Sequence, residues 1–384
     1  MVSATTSIAP VGVSFLSTGD DILMSSMLIH HLSVAGVRTY DLYDVGLHPG
    51  VTLILGPNGS GKTSLLEAIY YTSRGTSFRG RDRDMIRHGD DRADIKLLLG
   101  DGSTRRARIA TDSNLKQTKQ FVVGDRTLGR LPPDHKLPVV LFEPDELRLL
   151  TSSPQRRRDF LDGIIARLSP TYSTVLSRFA RALLQRNELL KQHESMNESD
   201  WQNHLFAWDV KFAELSSTII KARINFIVHA NEHLSRIYSD LAGSDNVVMA
   251  GYASTLDTPI ESLQQVLLNR LESSRRSDAM RGFTSVGPHR DDIAISLNDH
   301  PAADAGSRGE MRTIMLAFKL LEVELQEHHS GQKPLILLDD VFSELDSHRE
   351  QALISALSGY QTIITATDLR DELKVDALVI SLDT

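Results

Sequence analysis

The run Gly56-Pro57-Asn58-Gly59-Ser60-Gly61-Lys62-Thr63 fits G-x-x-x-x-G-K-[ST] at every fixed position, and Ser64 follows it. This constrains the fold because the loop works in only one setting. An apolar strand must deliver the chain to a glycine-rich turn, and a helix must leave it. Backbone N–H groups of the turn and the positive end of the helix then wrap a polyphosphate. Val51 to Leu55 reads as that strand, and Thr63 to Ser73 continues in a helical pattern. In such a loop Lys62 reaches the β- and γ-phosphates and the Thr63 hydroxyl ligates Mg²⁺.

Far downstream, Leu335 to Leu338 is a second apolar strand that ends in Asp339 and Asp340. Two carboxylates there repel each other unless a cation lies between them. As a Walker B strand the pair has work to do: Asp339 holds Mg²⁺, through water, and Asp340 orients or deprotonates the attacking water. A helix N-cap is the plainer reading of these acids. Small GTPases and kinases complete a P-loop site sooner than this. Here a helical stretch at 166–280 separates two α/β regions, 27–165 and 281–384, as in ABC ATPases of the SMC type. Ser307-Arg308-Gly309-Glu310 stands where such heads carry the signature loop that caps a partner's ATP. Ser with Glu three residues on is also a capping box, and the two readings are compatible because a capped helix N-terminus is an anion site. Ser343-Glu344-Leu345-Asp346 matches the D-loop that follows Walker B. The expected fold is α/β: a two-lobed ABC-type P-loop ATPase head with an inserted helical or short coiled-coil subdomain. Its expected ligands are ATP and Mg²⁺. Neither site is complete in a monomer, so ATP on Lys62 of one copy is covered by Ser307 and Gly309 of another, in an ATP-dependent homodimer.

The middle of the chain has a different rhythm. Tyr172, Leu176, Phe179, Leu183 and Leu190 recur at three- and four-residue steps. Trp201, Leu205, Trp208, Phe212, Leu215, Ile219, Ala222 and Phe226 do so more strictly, with a period near 3.5. The polar linker His193 to Asp200 joins them into an expected antiparallel helical hairpin, read as a packed subdomain in preference to a coiled-coil arm. The absence of cysteine excludes disulfides and thiolate zinc sites and points to a reducing, cytoplasmic home. The pairs His30-His31 and His328-His329 read as solvated surface. No apolar run approaches a membrane span, and 1–26 reads as a loose extension, with Met27 a candidate functional start.

Net charge is −8, which as a whole argues against a nucleic-acid binder. The arginines nevertheless bunch: Arg74, Arg79, Arg81, Arg83 and Arg87; Arg105, Arg106 and Arg108; Arg156 to Arg158. A solvated face and a local phosphate-binding surface both fit them, and Arg156 to Arg158 fit equally well as structural partners of Asp159 and Asp162.

Several further segments carry a specific resemblance. Pro144-Asp145-Glu146-Leu147, Pro154 to Asp162, Gln185-Arg186-Asn187, Gly287 to Asp292 and Leu337 to Arg349 together resemble the hallmark segments of the RecF family, over Met27 to about Asp368. The resemblance implies a head that dimerises on ATP and engages double-stranded DNA beside single-stranded gaps. It implies work with RecR and RecO to help RecA displace single-strand-binding protein, in the cytoplasm at the nucleoid. It places Arg38 near the adenine, Thr365 where ABC transporters keep a switch histidine, and Arg74, Arg79, Arg81 and Arg83 on the lobe that faces DNA. Ser152 and Gly306 depart from the family pattern, no glutamine marks the Q-loop, and Glu143 takes that position. Asp340 is shorter than the usual glutamate, so hydrolysis is expected to be slow. A transporter ATP-binding subunit, another SMC-like protein and a non-hydrolysing ATP-binding module are the competing readings.

Overall fold

The computed structural model describes residues 28–111, 117–254, 256, 259–368 and 377–382; the extension 1–26 and Met27 lie outside the described residues. The chain opens with β1 (Ile29–Val37), β2 (Tyr40–Gly46) and β3 (Val51–Leu55), then helix α1 (Lys62–Arg74). β4 (Arg92–Leu99), β5 (Thr104–Thr111), β6 (Gln117–Val123) and β7 (Arg126–Leu128) follow as a meander, and β8 (Val139–Phe142) closes the region. Four helices come next: α2 (Pro154–Leu168), α3 (Pro170–Lys191), α4 (Glu198–Ala242) and, after β9 (Val248–Ala253), α5 (Leu263–Arg281). The last third holds β10 (Asp292–Leu297), β11 (His300–Pro301), α6 (Arg308–Ser330), β12 (Leu335–Asp339), α7 (Ser347–Ala356), β13 (Thr362–Ala366) and β14 (Ala377–Ser381).

A five-stranded parallel sheet, in the order β14-β3-β13-β12-β8, is the centre of the molecule. It draws strands from both α/β regions. Both faces are covered over β3, β13, β12 and β8, so these strands are apolar runs and not alternating ones, while the edge strand β14 is largely exposed. Along β8, Val139 and Leu141 face α1 and the antiparallel sheet β2-β1-β4-β5-β6-β7, whereas Val140 and Phe142 face the helices. The period of two thus divides the interior into two cores, one on each face.

The repeat read at 172–226 becomes the helical hairpin α3–α4. Tyr172, Phe179 and Leu190 are buried on α3, and Trp201, Leu205, Phe212, Leu215, Ile219 and Phe226 on α4. α4 also packs on α5, α6, α7 and β9, so it is one layer of the body. Its 45 residues run from an Asn197 side-chain cap to Gly243 in the left-handed conformation. β10 does not join β12 and β13 as an α/β strand would. It pairs antiparallel with β9, so a division at 280/281 falls between two strands of one sheet.

Salt bridges fasten these layers. Arg186 on α3 is fully buried and reaches Asp209 on α4 at 2.8 Å and Asp278 on α5 at 3.0 Å. Arg223 on α4 grips both carboxylate oxygens of Asp162 on α2. The Arg156 to Arg158 cluster does take structural partners, but not the expected ones. Arg157 holds Asp292 through two hydrogen bonds, Arg158 donates to the Asp291 carbonyl, and Arg156 lies near Asp145. Asp159 and Asp162 are engaged by Gln155 and Arg223 instead. Side chains three or four apart lie along one helix face, but here a neighbouring element offered better geometry.

Candidate nucleotide site

The P-loop runs from the C-terminal end of β3 to the start of α1. Gly61 caps the helix at φ 98°, and a Cβ there would lie 2.6 Å from the Tyr40 hydroxyl and 2.9 Å from Thr39 Oγ1. Both its backbone angle and its surroundings demand glycine. Lys62 Nζ donates to the carbonyls of Gly56 at 2.6 Å and Pro57 at 3.0 Å, so its ammonium sits across the loop mouth. Ser64 N–H bonds back to Gly61, and Tyr40 reaches the Ser60 carbonyl. A cavity of about 480 Å³ opens here, lined among others by Arg38, Asn58, Gly59, Lys62, Thr63, Ser64, Arg79 and Asp340.

β12 lies two strands from β3 in the parallel sheet, so its C-terminal end meets the start of α1. The Thr63 hydroxyl donates to Asp339 Oδ1 at 2.7 Å across 276 positions of chain. Burial holds the Asp339 carboxyl above the ordinary range, opposed by the hydrogen bonds from Thr63 and Thr365 and by the Arg79 charge. Mg²⁺ fits these residues, because the Thr63 hydroxyl and the Asp339 carboxylate are hard oxygen donors already within contact of each other.

Thr365 is fully buried beneath the site and does not line the cavity. Its hydroxyl donates to Asp339 Oδ1 at 2.9 Å and accepts the Asp340 N–H at 3.0 Å. It therefore holds both acids of the Walker B pair from behind. Asp340 adopts φ 51°, a left-handed conformation that a non-glycine residue takes at a cost. Glu143 directly follows β8, whose Phe142 pairs with Leu338, so it stands beside Asp339. Burial, reinforced by Glu146, pushes its carboxyl up to about 7.

Arg38 lines the same cavity and is held from behind by Glu67 of α1, with bonds of 2.7 and 2.8 Å. Glu67 is fully buried and also accepts from Ser77 at 2.5 Å. Nothing in the sequence marked Glu67; an acid on the apolar face of a P-loop helix is the signal that could have. Arg79 sits at the cavity edge, and Arg81 and Arg83 are exposed nearby on the same segment. Arg74 is set apart from them. It lies in the last turn of α1, one helix length away from the loop, and donates to the Leu137 carbonyl.

Ser307 caps α6. Its hydroxyl accepts from Glu310 N–H at 3.2 Å, and Glu310 accepts from Ser307 N–H at 2.8 Å, a complete capping box. Ser307 and Arg308 are exposed, and none of residues 307–310 lines the P-loop cavity. The glycine at 306 has a local cause: a Cβ there would lie 2.6 Å from the Ala302 carbonyl. The D-loop is tied to this helix. Arg312 of α6 bonds the Glu344 carbonyl at 2.9 Å and pairs with its carboxylate, which also accepts from Arg148 at 2.8 Å.

The model of the RecF/RecN/SMC N-terminal domain matches residues 28–379. The DNA replication and repair protein RecF of Lachnospira eligens is 33% identical over 348 residues, covering 90% of this chain and 94% of that one. Its counterpart in Gloeobacter violaceus is 32% identical over 361 residues, covering 89% and 92%. The chain belongs to the RecF family. A solved structure of the recombination mediator protein RecF with ATP, from the RecFOR pathway, matches at a TM-score of 0.80 and 29% identity, over 92% of this chain and 95% of that one. An SMC head bound to the C-terminal winged-helix domain of ScpA shares the fold, at a TM-score of 0.51 and 17% identity, covering 92% and 93%. Several segments that carried the RecF resemblance prove to be fasteners. Arg157 and Arg158 meet Asp292 and Asp291, Arg186 and Asn187 meet Thr284, and Arg223 reaches the Pro288 carbonyl. Among the described residues of this RecF-family chain, no helix is long and apolar enough to cross a membrane.

Proposed function

We propose that this chain is an ATP-dependent DNA clamp of recombinational gap repair, in which two copies sandwich the nucleotide. The observation that carries it is the Thr63–Asp339 contact, which joins P-loop and Walker B at one cavity, while none of the capped signature residues Ser307 to Glu310 lines that cavity. One chain thus offers a nucleotide-binding half-site and, elsewhere, a helix N-terminus suited to the triphosphate of a second chain.

In this reading Gly56 to Ser64 wrap the triphosphate, Lys62 neutralises its terminal phosphates, and Arg38 contributes a cation held in place by Glu67. Thr63 and Asp339 would hold Mg²⁺, which would supply charge neutralisation for the triphosphate. Asp340 orients the attacking water from its Thr365-anchored backbone. Ser307, Arg308, Gly309 and Glu310 of a second copy complete the site. The γ-phosphate touches both half-sites, so the triphosphate favours the dimer and its loss releases it. Turnover is slow because the short Asp340 carboxylate has no switch histidine to help it. RecFOR names the pathway of a RecF close in fold to this chain; RecR and RecO are accordingly the proposed partners, and double-stranded DNA at a gap the substrate. Arg79 at the edge of the nucleotide cavity and the exposed Arg81 and Arg83 on the same segment are the proposed DNA phosphate contacts there; Arg74 is not, because it lies at the other end of α1.

The test is sedimentation on gapped DNA with and without Mg-ATP, using Asp340→Asn to block turnover. A dimer on DNA with ATP, a monomer without it, and loss of both effects in Lys62→Met are expected. A protein that stays monomeric in saturating Mg-ATP with DNA present excludes the sandwich.

A further inference from the structure

The parallel sheet has a second end. Its C-terminal edge carries the P-loop and Asp339; its N-terminal edge, at Pro138 before β8 and Gln332 before β12, borders a cleft of about 590 Å³. The last turns of α1 and α6 and the α2–α3 junction form the other walls. This is not where an open α/β sheet binds its nucleotide, which is the carboxyl edge.

Five long basic side chains line the cleft: Arg74, Arg105, Arg130, Lys136 and Arg167. Arg167 is paired with buried Glu322. Among the described residues, none of the other four lies within ion-pair distance of a carboxylate. One carboxylate, Asp134, shares the lining. Helix C-termini at Arg74 and His329 give a reason for one cation here, not for four. The four do not sit there freely. Burial pushes the Lys136 ammonium below its ordinary range, and Arg74 and Arg130 repel it further. Burial likewise lowers Arg74 and Arg105. Arg74 and Arg105 are held by carbonyls of the 135–137 segment, which keeps their positive ends at the cleft wall. On a chain of net charge −8, four cations gathered from α1, β5 and the β7–β8 connection, none ion-paired among the described residues, are a local exception.

We infer that this cleft is a second phosphate-binding site, remote from the nucleotide, and that it takes the phosphodiester backbone of a nucleic-acid strand. The chemistry of the lining favours backbone over bases. Among the described residues, no Phe, Tyr or Trp lines the cleft and His329 is the one aromatic ring in its lining, so stacking surface for bases is scarce. Ser173 and Ser177 of α3 also line the cleft, but their hydroxyls donate to the Ala166 and Ser173 carbonyls, so the cations are its phosphate donors. The inference rests on the proposal that the chain engages DNA, and it adds a contact surface that needs neither ATP nor the dimer.

The experiment measures binding of fluorescent single-stranded and duplex DNA, without nucleotide, across a salt series. It compares the natural protein with Arg105→Gln/Arg130→Gln/Lys136→Gln and with Arg130→Glu alone, which alters one exposed side chain and leaves the interior untouched. The triple variant should bind DNA roughly tenfold more weakly, and the slope of log K against log salt should flatten by about 2–3. Arg130→Glu should weaken binding in the same direction, while ATP binding stays unchanged in both. If the natural protein binds DNA and both variants bind it with the same affinity and slope, the inference is wrong. If the natural protein itself binds no DNA with or without ATP, the clamp proposal falls and this inference with it. If pyrophosphate raises the unfolding temperature of the natural protein but not of the triple variant, and DNA binding is equal in the two, the cleft is a site for small phosphates and the backbone assignment is overturned.

Discussion

Replacing Thr365 by valine removes one hydroxyl and keeps the shape of the side chain. Two hydrogen bonds set its consequences. Thr365 is fully buried, donates to Asp339 Oδ1 at 2.9 Å and accepts the Asp340 N–H at 3.0 Å. The first is a bond to a charged group, about 1.5–3 kcal/mol, and the second leaves a donor without its partner, about 1–3 kcal/mol. Asp340 is half-buried, so water recovers part of the second loss. A net destabilisation of about 2–4 kcal/mol is expected, read as a lower denaturant midpoint at unchanged slope. Function separates the two acids. Lys62 and Thr63 do not touch Thr365, so ATP affinity should change by less than about threefold, which is under 1 kcal/mol. Asp340 loses its backbone anchor in a strained conformation, and single-turnover hydrolysis should fall about ten- to a hundredfold. Thr365→Ser keeps the hydroxyl and should stay close to the natural protein in both assays. A valine variant that unfolds at the natural midpoint and hydrolyses ATP at the natural rate would show that the Thr365 hydroxyl supports neither acid.

Arg186→Met leaves Asp209 and Asp278 buried without their common cation and should cost about 3–5 kcal/mol in urea unfolding, much of it regained when both acids become asparagine. A loss under about 1 kcal/mol would show that the network is not the fastener described. Glu344→Ala removes the carboxylate that pairs the D-loop with Arg148 and Arg312 and leaves only the Arg312 bond to the residue 344 carbonyl; ATP-dependent dimerisation should weaken about tenfold or more, or roughly 1.4 kcal/mol, with monomer ATP binding retained. Equal sedimentation of variant and natural protein would count against that link. Stability should also depend on pH through His289. Burial between Phe179 and Phe212 pushes its imidazole down to about 4, and Nε2 donates to the Thr284 carbonyl. A lowered histidine binds protons more readily unfolded than folded, so its contribution is complete above pH ~6.5 and is lost as pH falls towards 4, with an upper bound of about 3 kcal/mol. His289→Gln should flatten the unfolding midpoint over that range; an unchanged pH profile would remove the histidine from the account.

Much of this was legible because it is local. A glycine-rich loop between strand and helix, a capping box at Ser307 and a 3.5-residue repeat on α4 depend on neighbours a few positions away, and backbone geometry translates such patterns directly. Charge partners are a different matter. The Arg156 to Arg158 run has acids within helical reach, yet Arg157 and Arg158 turn to Asp292 and Asp291. Likewise Arg74 and Arg79 stand close in sequence but at opposite ends of a helix. An ion pair forms wherever two elements happen to meet, and the meeting is set by packing, which sequence spacing does not report.

By itself the sequence determined the kind of site, from the phosphate loop, the two acids that end an apolar strand and the helix start that answers them. Tertiary structure alone decided the rest. It placed Thr365, which stands where transporters keep a switch histidine, behind the acids, set Glu67 under Arg38, and gathered Arg74, Arg105, Arg130 and Lys136 at the far edge of the sheet. The reason is one of range. Local conformation follows from a few adjacent side chains, whereas these groupings exist only because a five-stranded parallel sheet closes across strands from both ends of the chain.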